Sequence, residues 1–87
     1  NVSEDAAEVS AALKALRQEG RDYLQQRLDR GVEDGQLKPQ TNTRILASAL
    51  NTLLEGMSLQ AHDGASREDL EGIGATAVAM LGPSLAQ

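Results

Sequence analysis

The chain has 87 residues and a formal net charge of −5 at pH 7, and Tyr23 is its only aromatic residue. It contains no cysteine, which excludes disulfide bonds and thiolate metal sites and fits a reducing compartment. The acidic balance disfavours direct contact with nucleic acid, since phosphate contacts supply most non-specific affinity. We therefore expect a single cytoplasmic domain over residues 1–87 with a small aliphatic core. No apolar run approaches the ~18 residues of a membrane span, so no membrane partner is expected.

The first predicted helix covers residues 4–34. Asp5 and Glu8 have capping-box spacing, and Ser3 is an alternative N-cap. Gly35 stands where a helix commonly ends on a glycine. The apolar stripe of this helix comprises Val9, Leu13, Leu16, Gly20, Tyr23, Leu24, Leu28 and Val32.

The second predicted helix covers residues 42–63, with Asn42 as N-cap and Gly64 as its stop. No charged residue lies between Arg44 and Glu55. Its apolar positions occupy about half the circumference, more than the ~100° stripe of an ordinary surface helix. They are Ile45, Leu46, Ala49, Leu50, Leu53, Leu54, Met57 and Ala61. This width indicates two packing partners.

The third predicted helix covers residues 66–82. Ser66 and Asp69 have the spacing of a capped helix start, and Gly82-Pro83 ends the helix. Residues 72–87 carry no charge. The back of this helix would hold only small uncharged residues, namely Gly72, Ala75, Thr76 and Ala79. A second copy of the chain or a further domain is expected to cover it.

The short connection after the first helix predicts an antiparallel hairpin with the second helix. Counting outward from its middle places Gly20 opposite Gly56, and Tyr23 opposite Leu53. Two facing glycines would allow a close approach of the backbones.

No segment alternates apolar and polar residues, so no sheet is expected. The fold class is therefore all-α, a three-helix antiparallel array with a long first helix. That helix extends beyond the second, leaving Val9 and Leu13 to find cover from the third helix or from another part of the protein.

The sequence gives little support for an enzyme. His62 is the only histidine, and zinc needs three or four ligands, so no metal or other cofactor is expected. Ser58 lies one turn before His62, with no sign of an oxyanion hole or an orienting third group. The neighbouring acids Glu68 and Asp69 are read as a first turn stabilised by the helix dipole.

Arg27 falls within the apolar stripe of the first helix. One reading is that its stem covers apolar surface while the guanidinium reaches water. The other is that it faces an internal cavity and pairs with an acid or an anionic ligand. In that second reading the candidate pocket-lining residues are Tyr23, Arg27, Leu53 and Met57.

The segment from Leu53 to Leu70 (LLEGMSLQAHDGASREDL) resembles the C-terminal region of tetracycline-repressor-like (TetR family) transcriptional regulators. In that family a helix with an L-L-x-G-[LM] core ends in a G-A-S-R-E-x-L turn into the last helix. Upstream, the segment from Arg27 to Leu37 resembles the family's stretch ending in D/E-G-x-L-P. Asn42-Thr43 replaces the frequent Asp-Pro, which keeps the N-cap and loses the proline.

The resemblance implies that the three helices are the last three of such a regulator. The final two would form a four-helix bundle with their copies in a homodimer. The interface is then expected to comprise Leu54, Ser58, Ala61, Leu70, Ile73, Gly74, Ala77, Val78 and Leu81. DNA would be bound only through an N-terminal domain outside this chain, and a small-molecule effector would bind among the middle helices.

The predicted function is therefore the dimerisation and effector-binding segment of a repressor. The alternative from the residues is a stand-alone helical module whose apolar face accepts a partner helix. An enzyme ranks last.

Overall fold

The computed structural model describes residues 2–86, which form three α-helices in succession. They are α1 (Val2–Glu33), α2 (Thr43–His62) and α3 (Arg67–Ala79), and a 3₁₀ helix at Gly82–Ser84 follows. Across these residues no strand is present, only an isolated antiparallel bridge between Leu37 and Leu85. The prediction of a three-helix, all-α fold is confirmed.

The N-terminal caps of α2 and α3 are those that the sequence predicts. The Asn42 side chain accepts a hydrogen bond from the Ile45 amide at 3.1 Å, and Ser66 Oγ accepts one from the Asp69 amide at 3.0 Å. The predicted cap of α1 is wrong, because α1 begins at Val2 and both Ser3 and Asp5 lie inside it. Acidic residues are common in the first turn of a helix because they interact favourably with the helix dipole as well as because they cap it. A cap-like pattern therefore does not show at which residue the helix begins.

Two glycines end α1 and α2 by the same geometry. Gly35 and Gly64 have φ of 78° and 94°, the left-handed region that glycine enters at little cost. At the end of α1, the amide of Gln36 donates to the carbonyl of Gly31 at 2.9 Å. The amide of Gly35 donates to that of Val32 at 3.1 Å, completing a Schellman motif.

The third helix is shorter than predicted. It ends at Ala79, three residues before the expected end at Gly82. The amide of Ser84 donates to the carbonyl of Leu81 at 2.9 Å, so Gly82-Pro83-Ser84 tighten into a 3₁₀ turn. Proline stands at the start of this turn, where its missing amide hydrogen is not needed.

The register of the α1–α2 hairpin differs from the prediction by about one helical turn. Gly20 faces Asn51, and a Cβ on Gly20 would lie 2.9 Å from Asn51 Oδ1, whereas a Cβ on Gly56 would meet nothing within 4 Å. The predicted Gly20–Gly56 contact is therefore wrong. The connection folds back before α2 begins: a Cβ on Gly31 would lie 3.0 Å from Leu37 Cδ1.

The helices form a single layer with α2 in the middle, in contact with α1 and α3. The molecule measures 54 × 30 × 14 Å, and its thinnest dimension is close to the width of one helix with side chains. Its radius of gyration is 15.9 Å, against about 12 Å for a compact domain of this length. Within residues 3–86, the buried apolar side chains are Leu37 and Ala47 alone.

The C-terminal residues close one end of the layer. The Lys38 amide donates to the Ser84 carbonyl at 2.8 Å, and the Ala86 amide donates to the Gln36 carbonyl at 3.0 Å. The chain after α3 is thereby fixed against the α1–α2 connection, which holds α3 alongside α2.

Candidate functional site

An apolar cleft of about 320 Å³ opens between the three helices. Its lining contains no charged or polar side chain: it consists of Leu24, Leu50, Leu53, Leu54, Met57, Gly74, Ala77, Val78 and Leu81. One residue comes from α1, four come from α2, and the rest come from α3 and the turn that follows it. A single layer of helices has no second layer to fill such a cleft, so it remains open on one side.

The predicted interface residues fall into two groups. Leu54 and Val78 are exposed, at 52% and 69%, and Ser58 and Ala61 are exposed beside them. The others are half-buried, namely Leu70, Ile73, Gly74, Ala77 and Leu81. A Cβ on Gly74 would lie 3.7 Å from the Met57 methyl group, so this glycine faces α2.

The structure brings five of the predicted interface residues together around the apolar cleft: Leu54, Gly74, Ala77, Val78 and Leu81. Val78 is the most exposed large apolar side chain of the set. It is therefore the residue through which a partner could be tested with least disturbance of the monomer.

Only two of the four candidate pocket residues lie in the apolar cleft. Leu53 and Met57 line the apolar cleft. Tyr23 is 65% exposed and Arg27 is exposed, and neither lines the cleft. Leu24, the residue after Tyr23, is the residue of α1 that lines the cleft.

The back of α3 is exposed along its length. Gly72, Ala75, Thr76 and Ala79 all face solvent in the single chain. The Thr76 hydroxyl donates to the carbonyl of Gly72 at 2.9 Å, so its donor is used within the helix. These four residues therefore present methyl groups and backbone, although Gly72 and Thr76 share a cleft with the carboxylates Glu68 and Asp69.

The opposite side of the hairpin is polar. A cleft of about 270 Å³ between α1 and α2 is lined by Gln18, Arg21, Asp22, Gln25, Arg44 and Ser48. Arg21 donates to Gln18 at 2.6 Å, and Gln18 donates to Asp22 at 2.9 Å. The α1–α2 pair thus has one polar side and one apolar side.

Sequence reasoning missed Ala47 and Asn51, the residues at which α2 approaches α1 most closely. Ala47 is 1% exposed and Asn51 is 8% exposed. Asn51 Nδ2 donates to Glu55 Oε1 at 2.9 Å and, more weakly, to the Arg17 carbonyl at 3.4 Å. Small size at Ala47 was the available signal, since close helix packing requires small residues.

The residues weighed for catalysis lie at the surface. Ser58 and His62 are exposed, and His62 is the last residue of α2. Glu68 and Asp69 occupy the first turn of α3, and Arg67 pairs with Glu71 at 2.9 Å in an exposed ion pair. No three metal-ligating side chains gather at one point anywhere in residues 2–86.

The single chain has far more surface than a compact protein of its mass. Its accessible surface is 6489 Å², whereas a compact 9.2 kDa monomer has about 4,900 Å². The difference is about 1,600 Å², and the exposed side chains include the apolar Leu54, Val78, Val9, Leu13 and Leu16. The fold leaves apolar surface that another molecule or segment can bury.

No family model, curated protein or solved structure matches the chain. In the described part of the chain, no helix combines the length and apolar composition that a membrane crossing requires.

Proposed function

We propose that this chain is the dimerisation and effector-binding segment of a tetracycline-repressor-like transcriptional regulator that acts as a cytoplasmic repressor. The observation that carries the proposal is the open apolar cleft between α2 and α3, with Leu54 and Val78 exposed at its rim. Both helices belong to the region whose sequence resembles that family.

The surface area supports a homodimer. Obligate homodimers bury about 1,000–2,500 Å² on each copy. The excess of about 1,600 Å² over a compact monomer lies within this range. Burial of aliphatic surface contributes roughly 25 cal/mol per Å², so even half of that excess would give a large favourable term.

The cleft also suits an effector. Its volume of about 320 Å³ is at the lower end of the range for small-molecule sites. A ligand at the α1–α2 wall of the cleft, beside Leu24 and Leu50 and beneath the rim that the second copy covers, would change how far these helices are splayed. In the proposed mechanism this movement is transmitted to DNA-binding domains outside the chain, across a dimer that stays assembled.

The test is the molar mass of the chain by light scattering at micromolar concentration. We expect a dimer, and we expect Val78→Glu to convert it to a monomer because a buried unpaired carboxylate at the interface is costly. Leu59→Glu is the matched control, since Leu59 is 62% exposed on α2 but does not line the cleft.

Circular dichroism of each variant checks that helicity is retained. A Val78→Glu variant with unchanged mass and helicity would contradict the α2–α3 interface. Ala77→Glu is a harsher version of the same test, because Ala77 is half-buried against α2.

The second candidate is a stand-alone helical module whose apolar cleft accepts a partner helix. The observation that favours it is the wholly apolar lining of the cleft, which suits the apolar face of a partner helix. Such a module would be monomeric at micromolar concentration until the partner is added, and Val78→Glu would leave its mass unchanged.

A further inference from the structure

The apolar cleft offers no partner for a polar atom of a ligand. Its lining side chains belong to leucine, valine, alanine and methionine, with Gly74 among them. The lining residues of α2 and α3 lie inside helices, where main-chain groups bond within the helix. A hydroxyl, amide or carboxylate that entered the cleft would leave its hydrogen bonds to water without replacement, which is unfavourable. The part of a ligand that enters is therefore hydrocarbon.

The cleft also lacks any aromatic ring. Tyr23, the only aromatic residue of the chain, is 65% exposed and lies outside the lining. A planar aromatic ligand would find no ring to stack on, and a cationic ligand would find neither a ring face nor a carboxylate. Saturated hydrocarbon needs only the non-directional burial that aliphatic side chains supply.

The dimensions of the cleft suit one unbranched chain. Its lining follows α2 from Leu50 to Met57, a length of about 10 Å. A volume of about 320 Å³ over that length leaves a cross-section of about 30 Å², or between 5 and 6 Å on a side. Packed carbon atoms lie about 4 Å apart, so the cleft is about one chain wide.

The volume also sets the length of the chain. At about 30 Å³ for each non-hydrogen atom, the share of one molecule in liquid water, the cleft holds about ten carbon atoms. Fused ring systems with about twice that number of atoms exceed the volume.

We infer that the effector of this cleft is a molecule with a saturated, unbranched hydrocarbon chain of about ten carbons. The inference rests on the proposed function, since it names the class of effector for the same cleft. The chain lies at the α1–α2 wall beside Leu24 and Leu50, which are half-buried. Leu54 and Val78 are exposed at the rim, where the second copy covers the chain.

The polar end of the effector remains in solvent beyond the lining. The net charge of the protein is −5, so its overall field disfavours an anionic end group relative to an uncharged one. Straight-chain primary alcohols are therefore suitable probes, because their hydroxyl is uncharged and their chain length can be varied one carbon at a time.

The first experiment is calorimetric titration of the chain with primary alcohols from hexanol to tetradecanol. Affinity is expected to rise about fourfold with each methylene that is buried. It is expected to level off at about ten carbons, where the cleft is full. Absence of binding, or an affinity that continues to rise through tetradecanol, would overturn the inference.

The second experiment changes the size of the cleft and follows the chain length at which affinity levels off. Leu50→Ala removes three carbons from the wall and is expected to move this length to about twelve or thirteen carbons. Gly74→Val adds three carbons and is expected to move it to about seven or eight. The first of these has space, because a Cβ on Gly74 would lie 3.7 Å from the Met57 methyl group.

Leu59→Ala is the matched control, since Leu59 is exposed on α2 outside the lining, and it should leave the length unchanged. Circular dichroism checks that each variant is folded. If Leu50→Ala loses helicity, Gly74→Val decides the test, because valine has a higher helix propensity than glycine. A folded Gly74→Val variant with an unchanged length would overturn the inference.

Light scattering on the same samples separates this inference from the proposed dimer. A dimer whose affinity levels off at about ten carbons supports both. A dimer that binds no alcohol refutes the hydrocarbon effector and leaves the dimer standing, with the second copy filling the cleft. A monomer that binds with the expected length dependence supports the hydrocarbon site and refutes the dimer. A monomer that binds no alcohol refutes both.

Discussion

Substitution of Gly20 by alanine tests the contact at which α1 and α2 approach most closely. In an open helical position this change stabilises a protein by up to about 1 kcal/mol, because alanine has the higher helix propensity. At Gly20 the new methyl carbon would lie 2.9 Å from Asn51 Oδ1, too close for any real contact. Asn51 must then rotate, although it is 8% exposed and bonded to Glu55.

The magnitude follows from these opposing effects. An off-rotamer side chain costs about 0.5–1.5 kcal/mol, and a weakened hydrogen bond costs about 1 kcal/mol. Together they exceed the gain in propensity, so we expect Gly20→Ala to destabilise the fold by about 1 kcal/mol. Gly56→Ala is the matched control: its methyl group meets nothing within 4 Å, and we expect stabilisation by about 0.5–1 kcal/mol.

The assay is urea unfolding followed by circular dichroism, at one protein concentration, because association changes apparent stability. A double-mutant cycle sharpens it. In an Asn51→Ala background the obstructing oxygen is gone, and Gly20→Ala should become stabilising, which gives a coupling of about 1.5–2 kcal/mol. Equal stabilisation by Gly20→Ala and Gly56→Ala in the parent chain would refute the register described above.

Three further substitutions test local features by the same unfolding assay. Gly35→Ala should lower the free energy of unfolding by about 1–2 kcal/mol, because φ at this position is 78° and alanine enters the left-handed region poorly. Gly35→Asn should lower it less, and an equal loss from both substitutions would count against this explanation. Ser66→Ala should cost about 1 kcal/mol through loss of the hydrogen bond to the Asp69 amide, whereas Ser66→Asp should preserve stability. Thr43→Val should lower the free energy of unfolding by about 1–2 kcal/mol, because the Thr43 hydroxyl donates to Asp29 at 2.5 Å and joins the start of α2 to α1. Thr43→Ser keeps the hydroxyl, so a Thr43→Ser variant as unstable as Thr43→Val would argue against that bond.

The structure brings the predicted interface and pocket residues together only in part. The sequence predicts that another molecule covers α2 and α3, and the structure places Leu54, Ala77 and Val78 around one cleft. The sequence gives no indication that Tyr23 and Arg27 lie outside that cleft. Their position depends on how α1 is rotated against α2, and a rotation of one residue moves a side chain by about 100°.

What the sequence determined by itself is local. The number of helices, the caps at Asn42 and Ser66, and the glycine stops at Gly35 and Gly64 all depend on interactions within one or two turns of chain. Short-range hydrogen bonds and backbone preferences decide these features, so they can be read from neighbouring residues.

Only the tertiary structure decided the register of α1 against α2 and the arrangement of the three helices in a single layer. The α1–α2 connection folds back over Gly31, which places Gly20 against Asn51 instead of Gly56. A shift of one turn leaves the apolar periodicity of each helix unchanged, so that periodicity cannot select the register. The choice is made by the steric fit of particular side chains, Leu37 on Gly31 and Asn51 on Gly20, which exists only once the helices meet.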